Sequence, residues 1–281
     1  MNRKLFILPA VVGTLLSLSS CGTNPVGNDK LVIGLECAYQ PFNWSDTKQN
    51  EFNVKVSNKA NLYVDGYDVQ IAKILGQKLN MEVEFMQIDW LSLIPELEFG
   101  TINAVIAGMT DTEERRQTID FTDEYYRSEL VLVVKKSVAD SYVEVLNSND
   151  FTSLISGQVV VSQTSTVTDD VINIFKDNHG AIHANPVDSF ALAATDVSNG
   201  SAFAMTAELP VAQSIVSSFS DLGIIHIEQS ILGETQSELG VSIGIQKGNT
   251  ELQEKLNAAL SKITTEQRVQ LMTEAVERSA E

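Results

Sequence analysis

Cysteine, histidine and proline are scarce in this chain: two, three and six among 281 residues. Each shortage excludes something. Of the cysteines, Cys21 stands in a processing signal described below, so Cys37 alone remains and no disulfide forms between the two. No zinc-type spacing occurs. His179 and His183 are four apart, but Gly180 and Pro186 around them argue for a turn, and His226 is distant in sequence. No metal site and no cofactor are expected. Basic residues are outnumbered, 19 against 37 acids, for a formal charge of −18. That balance excludes nucleic acid as a partner and electrostatic adhesion to anionic lipid. It leaves the sign of a small ligand open, because local groups decide that. After residue 20 no apolar run is long enough to cross a membrane. What is present is a moderately apolar chain long enough for one large domain or two ordinary ones.

The one long apolar stretch, Leu5 to Leu18, follows Arg3-Lys4 and ends in Ser19-Ser20-Cys21-Gly22. A basic start, an apolar middle and small residues at the end make a secretory signal. The alternative, a transmembrane anchor, needs roughly 20 apolar residues and finds fewer here. Leu18-Ser19-Ser20 before Cys21 resembles the lipobox of bacterial lipoproteins. The resemblance implies cleavage before Cys21 and a lipid on its sulfur, with residues 1–20 as signal and 21–30 as a flexible tether. Loss of Arg3 and Lys4 takes the charge from −18 to −20. The mature chain is then expected on the outer face of the cytoplasmic membrane, as a monomer.

From Leu31 the pattern becomes strand, helix, strand, helix, strand. LVIGL reads as a strand, residues 67–80 as an amphipathic helix through Val69, Ala72, Leu75 and Leu79, and residues 81–86 as a second strand. A short helix then closes at Gly100. This is the signature of parallel α/β units. Two strands are followed by aromatics, Tyr39, Phe42 and Trp44 after the first and Trp90 after the second. The polar stretch 45–64 reads as a surface hairpin or loop. The third strand, Ala104 to Ala107, stops at Gly108-Met109-Thr110, and Thr112 with Glu113-Glu114 reads as the cap and first turn of a helix. In open α/β sheets ligands bind beyond the carboxyl ends of the strands. Gly108, Thr110 and Arg115 therefore form a candidate site, with the guanidinium suited to a carboxylate. The alternative is a surface ion pair of Arg115 with Asp111, Glu113 or Glu114.

LEFGTINAVIAGMT and VSNGSAFAMTAELP echo one another, each with a helix-ending glycine (Gly100, Gly200) and an alanine four residues on (Ala104, Ala204). This weak repeat suggests two lobes on one plan. In the second, Leu130 to Lys136 is a strand, 151–156 a short helix, and 158–162 another strand. Gln163-Thr164-Ser165-Thr166 then enters a helix, where free amides suit an anion or Thr166 merely caps. Asp188 is expected to cap a helix over 189–199, Glu208 to sit just past a strand over 202–205, and Pro210 to start the next helix. A strand over 238–245 and terminal helices complete the chain. It leaves the first lobe near 127–132 and returns near 237–243, making a hinge of two crossings.

At this point VIGLECAYQPFNW, GYDVQIAKILGQKLN, the run from IDWLSLIPELEFG to LVLVVKK, AELPVA and LGVSIGIQKGN together resemble the amino-acid-binding receptors of ABC importers, bacterial extracellular solute-binding family 3. The resemblance implies an α/β, two-lobed fold of the periplasmic-binding-protein type II. Lobe 1 would be residues 31–129 with 240–281, and lobe 2 residues 130–239. It also implies roles. Arg115 would grip a ligand carboxylate with the amides of Thr110 and Thr166. Glu208, the Thr110 hydroxyl and the Gly108 carbonyl would take the ammonium. Tyr39 and Trp90 would sandwich the side chain, and Glu36 and Gln163 would face its far end. The implied function is capture of a free polar or basic amino acid (arginine, lysine, histidine, glutamine or cystine) for delivery to an ABC permease, without catalysis. Two departures stand out: Glu208 where the family usually has Asp, and Ser165-Thr166 where it usually has Gly-Thr. The insertion over 46–62 is longer than in many relatives. An enzyme resembling the cyclohexadienyl dehydratases would use the same fold and need an acid in the cleft. A sensory ligand-binding protein is the other alternative, and would need a signalling segment beyond Glu281.

Overall fold

The computed structural model describes residues 30–280. The signal sequence, Cys21 and the tether up to residue 29 lie outside the described residues. Lys30, assigned above to the tether, is the first residue of β1 (Lys30–Leu35). Next comes a small antiparallel sheet of β2 (Ala38–Tyr39), β3 (Asn43–Asp46), β4 (Val54–Lys55) and β5 (Tyr63–Asp65), in the order β2-β3-β5-β4. The polar stretch 45–64 is thus largely sheet and turn rather than free loop. Val56 and Val64 are its fully buried residues.

The helix α1 (Tyr67–Leu79) buries Val69, Ala72 and Leu75 and ends at Asn80 in the left-handed conformation. Then come β6 (Glu82–Gln87), a 3-10 turn (Trp90–Ser92), α2 (Leu93–Phe99) closed by Gly100 at φ 77°, and β7 (Ala104–Val105). After them lie α3 (Glu113–Arg116) and β8 (Ile119–Arg127). The apolar run 104–107 forms ladder pairs only over its first two residues. Ile106 and Ala107 stay buried beyond the ladder, where the chain turns into the loop at Gly108.

Seven further elements follow in order: β9 (Leu130–Lys135), α4 (Lys136–Ala139), α5 (Ser148–Ile155), β10 (Val159–Val161), α6 (Val167–His179), β11 (Ile182–His183) and α7 (Phe190–Asn199). The chain continues through β12 (Ala204–Glu208), α8 (Leu209–Ser218), β13 (Leu222–His226), β14 (Gly240–Gln246), α9 (Thr250–Leu260) and α10 (Thr265–Ser279). Two expectations are corrected. Ser189, not Asp188, caps α7, its hydroxyl accepting from the Leu192 N–H. Glu208 is the last residue of β12 rather than a residue beyond it. The strands β8 and β13 were not anticipated.

The two large sheets share one plan. The first has the order β6-β1-β7-β14-β8, the second β11-β10-β12-β9-β13. In each, three parallel strands are joined by helical crossovers and two further strands include an antiparallel neighbour of the central one. The echoing segments of the sequence fall on β7 and β12, the middle strands of the two sheets. The chain passes between sheets at 127–130 and again between β13 and β14. Gly240 is paired with Arg127 where the two crossings run side by side. No helix among the described residues is long and apolar enough to cross a membrane.

Candidate functional site

The carboxyl ends of β1 and β7 face those of β10 and β12 across a cleft, and a cavity of about 10 Å³ lies between them, room for about one water molecule. Its walls are Glu36, Tyr39, Trp90, Gly108, Thr110 and Arg115 from the first lobe, and Gln163, Thr166, Phe190 and Glu208 from the second. All nine residues singled out in the sequence therefore meet at one place. Phe190 is the addition. An apolar residue opening a helix looks like ordinary core, so nothing in its sequence context marked it.

Local chemistry explains how each group arrives. The loop after β7 turns at Gly108, φ 60°, where a Cβ would come within 2.6 Å of the Tyr39 ring. Only glycine fits so close to that ring in the left-handed region. Thr112 then caps α3 by accepting from the Arg115 N–H at 3.2 Å. This cap points the Arg115 side chain back over the loop. Nη1 donates to the Thr110 carbonyl at 2.7 Å and Nη2 to the Ser165 carbonyl, in the other lobe, at 2.9 Å. The guanidinium also lies over the Trp90 ring, 5.3 Å from its centroid. The ion pair with Asp111 belongs instead to Arg116. Among the described residues Arg115 has no salt-bridge partner. Burial lowers its pKa, and Asp170, Glu114 and Asp111 oppose that shift from a distance. A partly buried guanidinium held by carbonyls, with no carboxylate on it, is suited to an incoming anion.

Glu208 combines the end of β12 with the N-cap of α8, and Pro210 suits the helix start because its missing N–H would be unpaired there anyway. The carboxylate is buried and accepts from the Tyr39 hydroxyl of the first lobe at 2.7 Å. Burial raises its pKa, and that hydrogen bond lowers it in part. Tyr39 in turn stacks on Phe42 and on Phe190, both at 5.0 Å between centroids. Tyr39 and Trp90, expected to sandwich a ligand side chain, thus make their ring contacts with Phe42, Phe190 and Arg115. At the far end Gln163 Nε2 donates to both carboxylate oxygens of Glu36, at 3.3 and 3.4 Å. Glu36 is also raised, by burial first and by nearby Asp89, with Gln163 opposing.

Ser165 sits at φ 57°, a conformation that glycine favours. Its carbonyl accepts from Arg115 and, at 3.3 Å, from Trp90 Nε1. Thr166 caps α6 through its hydroxyl, which accepts from the Asp169 N–H. His179 and His183 are not a ligand pair: His179 Nδ1 meets the Thr152 hydroxyl, and His183 Nε2 meets Asp169. No cluster of three or more His, Cys, Asp or Glu side chains suited to a metal occurs among the described residues. The cleft offers one cation, a buried carboxylate and a half-buried one, aromatic walls and backbone carbonyls. It carries the groups to hold a zwitterion.

Comparison with known proteins agrees with this architecture. The chain is 27% identical over 261 residues, 93% of each chain, to a protein of Escherichia coli (strain K12) named putative ABC transporter arginine-binding protein 2. An ancestral arginine-binding protein solved with arginine superposes with a TM-score of 0.67 at 28% identity, covering 88% of this chain and 97% of that one. A substrate-binding protein of an amino acid ABC transporter from Streptococcus pneumoniae, solved with L-arginine, shares the fold with a TM-score of 0.70 at 24% identity, over 90% and 97% of the two chains. These relatives are solute-binding proteins rather than enzymes. The model of one family matches residues 31–275, nearly the whole described chain, and the protein belongs to it: the bacterial extracellular solute-binding proteins, family 3.

Proposed function

We propose that this protein captures a free polar or basic amino acid outside the cytoplasm, by closure of its two lobes, and delivers it to the permease of an ABC transporter. One observation carries the reading. Arg115 and Glu208 come from opposite lobes and line one small cavity. A zwitterion excluded from water must be matched at both ends, because a buried unpaired charge is very costly. Arg115 takes the carboxylate, and Glu208, with the Thr110 hydroxyl and the Gly108 carbonyl, takes the ammonium. Since the two charges belong to different lobes, ligand favours the closed arrangement by differential affinity. Residues 31–129 with 240–281 move as one body and 130–239 as the other. Glu36, held by Gln163 at the far end, selects a polar or cationic side chain and repels an acidic one. Arginine leads the candidates, since the named relatives bind it. We take the protein to be a monomer, and the lipobox-like Leu18-Ser19-Ser20-Cys21 supports an anchor through lipid on Cys21; Cys21→Ala would then leave the membrane fraction.

The test is a thermal-shift panel of the twenty amino acids followed by calorimetry. Arginine, lysine, histidine or glutamine should raise Tm, by as much as ~4 kcal/mol of stabilisation at a thousandfold excess over Kd. A shift with aspartate or glutamate alone would contradict the role given to Glu36. No shift with any amino acid would remove the reading.

A further inference from the structure

Asp68 lies on the first turn of α1, is fully buried, and takes no part in the cavity wall. It is nevertheless joined by hydrogen bonds to two loops of that wall. One oxygen accepts from the Tyr125 hydroxyl at 2.6 Å, and that hydroxyl accepts from the Gly108 N–H at 2.9 Å. The other oxygen accepts from Asn43 Nδ2 at 2.9 Å, and Asn43 Oδ1 accepts from the Cys37 N–H at 2.8 Å. Gly108 and Cys37 are both in the left-handed region, φ 60° and 62°. Neither amide is in a ladder, so these side chains are the partners of the two amides, while the turns are also fastened through the Cys37 carbonyl, which accepts from the Ser45 N–H at 3.0 Å, and the Met109 carbonyl, which accepts from the Ser242 N–H at 2.9 Å. Cys37 directly follows Glu36. The start of α1 is tied to the same loop, its Tyr67 and Asp68 amides donating to the Pro41 and Phe42 carbonyls. Gly66, φ 135°, permits that approach, because a Cβ there would lie 2.1 Å from the Phe42 carbonyl oxygen.

We propose that Asp68 and Tyr125 are positioning residues for ligand binding: one buried carboxylate, through Tyr125 and Asn43, fixes the Gly108 and Cys37 turns that present the first lobe's polar groups to the cleft. This rests on the reading of Gly108 and Glu36 as ligand-facing. In its ionised form the Asp68 carboxylate accepts on both oxygens, from the Tyr125 hydroxyl and from the Asn43 amide. Burial pushes its pKa up to about 7, with the Tyr125, Asn43 and Gly108 hydrogen bonds opposing. The titratable groups that register its charge are Tyr39, Tyr67 and Tyr125, with Glu208 beyond Tyr39 and Arg268 and Tyr126 beyond Tyr67. None of these is a cation placed on Asp68. Below neutrality the carboxyl takes a proton, one acceptor becomes a donor, and the Tyr125 hydroxyl hydrogen loses its partner. The turns are then held less firmly. The binding-competent fraction falls, and apparent affinity falls with it.

The experiment pairs NMR of the purified protein with L-arginine calorimetry. In the wild type the Gly108 amide proton should move with pH, with a midpoint near 7. It should stay still in Asp68→Asn and shift upfield at every pH in Tyr125→Phe. Each variant should weaken L-arginine about tenfold at pH 8, the size expected for loosening one buried hydrogen-bonded group. At that pH Asp68→Asn should keep or raise Tm, since it removes a buried charge. A merely structural role would lower Tm and leave Kd alone. Affinity within about twofold of wild type in both variants, or a Gly108 amide indifferent to Asp68→Asn, overturns the proposal. Should Tyr125→Phe fail to fold, the wild-type titration and Asp68→Asn decide it. If the wild type itself does not bind L-arginine, the reading of the cleft is at fault, and the Gly108 titration still reports on the linkage.

Discussion

The two lobes share a strand order and almost nothing of their chemistry. Strand register makes the comparison residue by residue. Ile33 is opposite Ala104 in the first sheet and Val160 is opposite Ala204 in the second, so Ile33 corresponds to Val160 and Ala104 to Ala204. Three residues after the first pair stand Glu36 and Gln163, which meet across the cleft. Four residues after the second pair stand Gly108 and Glu208, both in the cavity wall. Equivalent positions thus carry an acid against an amide and a bare backbone against an acid. The lesson is that the fold supplies equivalent strand ends and the site arises from unlike residues at them. A symmetric pair of lobes would offer two like charges, which no zwitterion could match.

The comparison is broken most severely by removing one of the opposed charges. Arg115→Ala should abolish binding of every amino acid, and Glu208→Gln should come close. Truncating one partner of a buried charge pair costs ~2–5 kcal/mol, or about thirty- to several-thousandfold in Kd. Calorimetry on both variants checks this, and retained affinity in either shows that its lobe does not hold the ligand. A finer test makes the far ends alike. Glu36→Gln leaves an amide facing the Gln163 amide and should weaken a basic ligand roughly tenfold while sparing glutamine. Equal losses for arginine and glutamine would show that Glu36 shapes the pocket rather than reading charge.

Much of this was legible before any coordinates. The order of strands and helices, Gly100 and Gly200 as helix ends and the cluster around Arg115 follow from periodicity and capping, which are local. Gly108, Thr110, Arg115 and the turn at Thr166 follow from pattern, whereas the roles of Glu36, Tyr39, Trp90, Gln163 and Glu208 follow from resemblance, because these five have no local mark. What escaped was decided at long range. The residues of β8 and β13 reveal their place only through pairing with β14 and β9. Phe190 joins the wall because Tyr39 of the other lobe packs on it. Asp68 and Tyr125 are 57 apart in sequence and meet only once both sheet and helix are built.

A smaller effect separates the acids in and behind the cleft from those of the surface. Glu36, Glu208 and Asp68 are all raised, in each case chiefly by burial. A raised carboxyl contributes stability below its unfolded pKa and loses it as pH rises through the folded value. For Asp68 that window runs from ~4 to about 7. Half-buried surface acids such as Asp120, lowered by its hydrogen bond with Lys247, act in the opposite sense and lose their contribution on acidification. In the proposed roles, Glu36 and Glu208 meet the ligand ionised. The Tm of the free protein should therefore gain from the cleft as pH falls from 8 towards 5, while the Tm increment given by L-arginine shrinks. Parallel slopes with and without ligand would mean that the cleft acids do not meet it.

The mildest test concerns the turn before α6, where the second lobe reaches the left-handed region with a residue other than glycine. Ser165 stands there at φ 57°, as Cys37 does at φ 62° in the corresponding loop after β1. A non-glycine residue in this region pays roughly 1 kcal/mol against its Cβ, and glycine gives part of that back through greater freedom in the unfolded chain. Ser165→Gly should therefore stabilise the free protein by about 0.5 kcal/mol, read from urea unfolding. The carbonyl of residue 165, which joins Arg115 and Trp90 to the second lobe, belongs to the backbone and survives the change. Arginine affinity should stay within about twofold. If stability rises and affinity falls together, the serine is retained because its stiffness holds that carbonyl on Arg115, and the strain of the second lobe is part of the binding site.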